Sequence, residues 1–309
     1  MLTLPDFKLE RPDNLGDFLA LISAPDSRIL AGGTDLLPNI KHRIETPPVL
    51  VSMSRIPDVC GVTPTGDGLT IGAATPLTAI ANHSGVSQLY PALADACRTV
   101  ATSTIQEMAT IGGNLMLNTR CLYVNQPDGW RHSIGGCLKS DGNVCHVARG
   151  GSGCYAAHSA DTVPVLWLMG ARLRILSMAG DRTIDLPELY TEDGIRRHTL
   201  KRGEFIHSLI LPPPRGFVAH RKLRIRGSID YPLLLTAVRR EGAGASAVLS
   251  ALGPRPIWVQ ADKAADLPEL AWAKAKPLNT HSVATTWRKH MVRVEVRRAL
   301  ESTTQAMPR

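Results

Sequence analysis

The chain has 309 residues, 44% of them hydrophobic, and a net charge of +8 at neutral pH. That length is enough for two domains, each with a core of its own. No apolar run is long enough to span a bilayer, and the most hydrophobic stretch, around Val163 to Ala171, is too short. The N-terminus, MLTLPDFKLERPDN, has neither a basic n-region nor an apolar h-region, so no Sec-type signal is visible and a cytoplasmic chain with reduced thiols is expected. The basic excess gathers at Arg221 to Arg226 and at Trp287 to Arg298. Aromatic residues are only 5% of the chain and are not interleaved there as stacking platforms, which favours solvated faces over a nucleic-acid surface.

Residues 1–55 read as a small strand–helix–strand unit. Leu15 to Ile22 has helical spacing, Arg28 to Leu30 is a short apolar strand, and Gly32–Gly33 breaks it before Leu36 to Ile44. PPVLVSMS is a second strand. Residues 56–195 form the next block, with a hairpin in GVTPTGDGLTIGAA, helices through Ala79 to Asn82 and Ala92 to Val100, and a glycine turn at Gly112–Gly113. The apolar VPVLWLMGARLRIL reads as a helix running into a strand. LPPP, at Leu211 to Pro214, is the clearest linker. Over the last block, 196–309, FVAHRKLRIRG and ASAVLSALG alternate as strands, and Leu233 to Arg239 is expected to be a helix. Val283, Trp287, Met291 and Val294 mark the apolar face of a C-terminal helix.

Between the second glycine turn and Asp161, in 119–157, lie Cys121, Cys137, Cys145 and Cys154, four of the six cysteines. Their surroundings are polar and glycine-rich, too poor in apolar residues to build a core, so another source of order is needed. Four thiolates on one metal centre supply it directly. Disulfides and ordinary buried cysteines are the alternatives. The spacing C-x15-C-x7-C-x8-C lacks the paired knuckles of structural zinc and differs from ferredoxin spacings, so pattern alone leaves zinc and iron–sulfur open. His132, His146 and His158 are read as loop residues, and Cys60 and Cys97 as core.

Two glycine pairs follow apolar segments, ILAGGTDLLP at Ile29 to Pro38 and ATIGGNL at Ala109 to Leu115. Glycine lets the backbone turn tightly and brings successive N–H groups within reach of an anion, and Thr34 and Thr110 add hydroxyl donors. Neither pair matches the dinucleotide fingerprint or the P-loop. Two of them in one chain allow a two-sided cradle for a pyrophosphate, with plain turns as the alternative.

AGGTDLLP, TIGGN and Asp161 before an apolar helix resemble the flavoprotein subunits of the molybdenum hydroxylase family, which includes xanthine dehydrogenase and carbon monoxide dehydrogenase. RKLRIRGSIDYPLLLTAV and WRKHMVRVEVRRALE extend the resemblance over essentially the whole chain. It implies an α+β fold, with a two-part FAD-binding domain of the vanillyl-alcohol-oxidase type and a smaller C-terminal domain. FAD would lie against Ile29, Leu30, Ala31, Gly32, Gly33, Thr34, Asp35 and Leu36 on one side. On the other it would meet Val100, Thr110, Ile111, Gly112, Gly113 and Asn114. The resemblance further implies Asp161 at ribityl or ribose hydroxyls, with a helix N-cap as its other reading, and Lys222 near the flavin ring. RCLYVNQPDGWR, GCLK, GNVCHV and CYAAHSAD resemble the inserted loop of the 4-hydroxybenzoyl-CoA reductase branch, which implies a [4Fe–4S] cluster on the four cysteines. The implied assembly adds a large molybdopterin subunit and a small [2Fe–2S] subunit, as a dimer of heterotrimers, served by a ferredoxin-like carrier. Other substrates with the opposite electron flow, a stand-alone flavin oxidase and a zinc-stabilised interaction module are the competing readings.

Overall fold

A computed structural model describes residues 2–66 and 68–305. Its first layer is a parallel three-stranded sheet of β1 (Lys8–Glu10), β2 (Ser27–Leu30) and β3 (Val49–Ser52), with β3 central. The expected helix is present as Leu15–Ser23. Asn14 caps it by accepting from the Asp17 N–H at 2.9 Å, and Phe18, Leu19 and Ile22 are its buried face. Strand β1 was not anticipated, since three residues show no alternation.

The second layer is an antiparallel sheet in the order β4-β5-β8-β6-β7, built from Val62–Thr65, Gly68–Gly72, Phe205–Leu211, Arg172–Ser177 and Gly180–Asp185. The hairpin β4–β5 forms as expected, with Asp67 of its turn outside the described residues. β8 lies beyond residue 195 yet pairs with both β5 and β6, and the proline run follows it. Helices Leu77–Asn82, Pro91–Thr99 and Val163–Leu168 pack into the same core.

The third layer is antiparallel, in the order β12-β11-β10-β9, from Ile257–Ala261, Gly244–Ser250, Leu234–Glu241 and Val218–Leu223. The helix expected at Leu233 to Arg239 is therefore strand β10. It sits centrally and is buried on both faces, so its apolar run carries no alternation to mark it as a strand. The C-terminal helix Thr285–Gln305 forms, but on another face. Val292, Glu295, Val296 and Ala299 are buried, whereas Trp287 is exposed. Arg288 turns that face inward. Its guanidinium is enclosed and donates to the carbonyls of Leu233 (3.1 Å), Leu278 (2.9 Å) and Ala251 (2.5 Å). Cys97 is buried as expected, whereas Cys60 is exposed and is not a core residue. Among the described residues no helix is long and apolar enough to cross a membrane.

Candidate functional site

A cleft of about 780 Å³ opens between the three layers. The turn after β2 forms one wall. A Cβ on Gly32 would stand 1.7 Å from the Met108 carbonyl oxygen, so only glycine lets this turn lie against the backbone that enters the second glycine segment. Gly33 has φ +72°, a left-handed conformation, and its missing Cβ would face Leu30 and Leu37. Among the described residues the N–H groups of Gly32, Gly33 and Thr34 meet no acceptor, so this turn keeps free donors in the cleft.

The second segment differs from its expectation. Ile111–Leu115 is a short helical turn, with Thr110 as its cap. The Gly113 N–H donates to Thr110 Oγ1 (3.1 Å), that of Gly112 to the Ala73 carbonyl (2.8 Å) and that of Asn114 to the Thr110 carbonyl (2.8 Å). Gly112 is glycine because a Cβ would sit 2.8 Å from Ala73. The backbone donors here are already engaged, so the two turns do not form a symmetric N–H cradle.

Of the sixteen expected flavin-site residues, all but Leu30 and Ile111 line the cleft; Ile111 is fully buried in the core. Lys222, on β9, brings its ammonium 2.6 Å from Asp161 Oδ1 and donates to the Thr99 carbonyl at 2.9 Å. Both side chains are almost completely buried. Burial raises the Asp161 carboxyl to about 6, against the opposing pull of Lys222. Asp161 is not the helix cap: Thr162 holds that position and is itself tied to Asn114 Oδ1 through its hydroxyl at 2.7 Å.

The cysteine segment folds over one side of this cleft. Its four cysteines line a single small cavity, with Cys121, Cys145 and Cys154 buried, Cys137 half-buried, and none in a disulfide. Among the described residues no group of three or more His, Cys, Asp or Glu is disposed to hold a metal ion, so the thiols share a cavity without forming a closed donor set. Burial pushes the Cys121 thiol up to about 11. A buried arginine and a half-buried lysine order the loop, which sequence reading did not foresee. Arg131 donates to the carbonyls of His42 (2.7 Å) and Arg43 (3.1 Å) and to Ser140 Oγ (2.8 Å). Lys139 donates to Asn118 Oδ1 (2.7 Å) and to the carbonyls of Thr119 and Gly194 (3.0 Å each).

Cavity and cleft share a wall. Gly194 packs so closely that a Cβ would lie 2.8 Å from Cys154 Sγ, and the next residues, Ile195 and Arg197, line the cleft. Arg120, which precedes Cys121, pairs with Asp35 (3.3 Å) and lies 3.9 Å over the Tyr231 ring. Sequence reading missed the basic lining of Arg28, Arg197, His198, Lys201 and Arg202. The run RRHTLKR was its visible signal, without a motif to place it.

Residues 5–214 match the family described as the FAD binding domain in molybdopterin dehydrogenase. The chain belongs to that family. It is 34% identical over 250 residues to the aldehyde oxidoreductase FAD-binding subunit PaoB of Escherichia coli (strain K12), covering 77% of this chain and 78% of that one. It is 26% identical to the carbon monoxide dehydrogenase medium chain of Afipia carboxidovorans, over 96% of both. Quinoline 2-oxidoreductase from Pseudomonas putida 86 superposes with a TM-score of 0.79 over 98% of both chains at 19% identity, a likeness of fold. The expected two-domain α+β FAD-binding fold is the one observed, and the chain is an FAD-binding oxidoreductase subunit of the xanthine dehydrogenase and carbon monoxide dehydrogenase family.

Proposed function

We propose that this subunit relays electrons within a heteromeric molybdenum enzyme, between a [4Fe–4S] cluster on Cys121, Cys137, Cys145 and Cys154 and FAD in the cleft. The observation that carries this reading is the shared wall, where Gly194 touches Cys154 on one side and Ile195 and Arg197 face the cleft on the other. Four thiols around one cavity supply a tetrathiolate donor set, and the resemblance of the segment to the inserted loop of the 4-hydroxybenzoyl-CoA reductase branch favours iron–sulfur over zinc. Lys139, beside Cys154, would offset the negative charge of a tetrathiolate centre.

FAD, when bound, joins two-electron to one-electron chemistry. The free N–H groups of Gly32 to Thr34 would receive its pyrophosphate, and Thr34 adds a hydroxyl. Lys222 would place a cation beside the ring, held in position by Asp161 and the Thr99 carbonyl. The substrate site belongs to a large molybdopterin partner, reached through the clusters of a small [2Fe–2S] partner. A 4-hydroxybenzoyl-CoA reductase-like complex would take electrons in here from a reduced ferredoxin. The opposite flow, outward from an aldehyde, is the second reading, and the 34% identity to the aldehyde oxidoreductase subunit favours it.

Stopped-flow mixing of the assembled, anaerobically prepared complex with reduced ferredoxin tests the direction. Inward flow predicts rapid bleaching of flavin and cluster absorbance, slowed by salt because a basic chain attracts an acidic carrier. Reduction by an aldehyde, with no response to ferredoxin, would establish the second reading instead.

A further inference from the structure

A pyrophosphate carries two negative charges, and the cleft offers free backbone donors from one glycine turn only. The second turn has engaged its own N–H groups, at Ala73 and Thr110. An anion so held lacks a side-chain partner. Among the cleft's described cations without an ion pair, Arg197 is the one that is not exposed, since Lys201 and Arg202 stand in solvent. Arg197 lines the cleft, partly buried, with its Nε enclosed and without an acceptor. The two nearby carboxylates are committed elsewhere. Asp35 pairs with Arg120 at 3.3 Å, and Glu45 with Arg28 at 3.3 Å and with the Asn118 amide at 2.8 Å. A half-buried guanidinium with no carboxylate pair leaves its terminal nitrogens available to an anion in the cleft.

We propose that Arg197 is the second anion-binding element of the cleft, and that its guanidinium takes the diphosphate bridge of the bound dinucleotide beside the Gly32–Thr34 turn. Guanidinium geometry suits phosphate oxygens, which accept from it in pairs. Arg197 and the Gly32, Gly33 and Thr34 turn line the same cleft, so both face one ligand. The neighbouring backbone fixes where the arginine can reach: the Thr191 N–H donates to the Arg197 carbonyl at 3.3 Å, and the Gly194 N–H to the Cys154 carbonyl at 2.8 Å. The inference rests on the reading that FAD occupies this cleft.

The test compares the full-length protein with its Arg197→Gln, Arg197→Lys and Gly32→Ala variants, each stripped of flavin and titrated with FAD by fluorescence quenching. Thermal melting of each flavin-free form is followed in parallel. Loss of one charge-assisted contact predicts that Arg197→Gln weakens FAD binding on the order of ten- to a hundredfold. The flavin-free variant should melt no lower than the wild type, because the charge removed is half-buried and pairs with no carboxylate. Arg197→Lys should fall between the two. FAD affinity within about twofold of wild type, on the scale where tenfold is 1.4 kcal/mol, would overturn the proposal. So would a weakened affinity accompanied by a lower flavin-free melting temperature, which would make Arg197 structural. Gly32→Ala separates this from failure of the underlying reading: if it too left FAD binding intact in a folded protein, FAD would not sit in this cleft.

Discussion

His158, His198, His220 and His281 are each held neutral by burial. His158 is lowered to about 3 and the other three to about 4, from an ordinary value of 6.5, with the Arg197 charge adding to the effect at His158 and His198. In the unfolded chain all four bind protons below 6.5, and in the folded chain they do not. Stability from these groups is therefore full above pH 6.5 and is lost as the pH falls towards 4. Asp161 has the opposite sign. Its folded value is raised to about 6 by burial, so its contribution falls as pH rises from 3.8 to 6, with Lys222 opposing the shift. Burial also lowers His207 and raises Asp35, so five histidines against two carboxyls predict a melting temperature that drops between pH 6.5 and 4. Thermal unfolding across that range checks it, and His158→Gln, which keeps a polar partner for Ser250 Oγ (3.0 Å), should flatten the slope. A melting temperature that rises towards pH 4 would contradict the assignment.

At the scale of elements, the C-terminal helix is anchored by a charge. Arg288 satisfies three carbonyls, on the Leu233 approach to β10, at Ala251 after β11 and in the Leu278 loop. Arg288→Leu leaves those buried acceptors unmet and should destabilise the protein by about 1–3 kcal/mol, the cost of stranding a buried hydrogen-bonding group. Urea denaturation measures it, and a change below about 1 kcal/mol, the scale of surface substitutions, would show that water replaces the arginine. This residue also explains why the helix face was misread. Periodicity assigns apolar residues inward, and here Arg288 and Glu295 go in while Trp287 stays out. β10 was misread for a related reason, since burial on both faces erases the period of two. Legible features were those with local causes: the helix Leu15–Ser23 from its spacing, the β4–β5 hairpin, the helix Pro91–Thr99, and the two glycine turns. Lining of the cleft was legible through the family resemblance. Which N–H groups remain free there was not, because the Gly112 acceptor, the Ala73 carbonyl, is set by tertiary packing of the middle layer.

At the scale of the whole molecule, the first two layers carry the glycine turns, the third contributes Lys222 and Tyr231, and the inserted segment closes one side with its cysteine cavity. Polar contacts from Arg131 and Lys139 hold that segment against the first layer and the 190s loop. The insert is thus docked through hydrogen bonds instead of a large apolar interface. A small apolar cluster of Cys121, Val124, Cys154 and Ala156 forms within it, with Ile44 of the first layer packed against that cluster. Losing one thiol should therefore remove what the cavity binds without emptying the cleft. The most direct measurement is the iron, acid-labile sulfide, zinc and flavin content of the anaerobically purified protein and of its Cys137→Ser variant. The account predicts about four irons and four sulfides with one FAD per chain in the wild type, and loss of the iron with retention of the flavin in the variant. Zinc in place of iron, or flavin lost together with the metal, would contradict it.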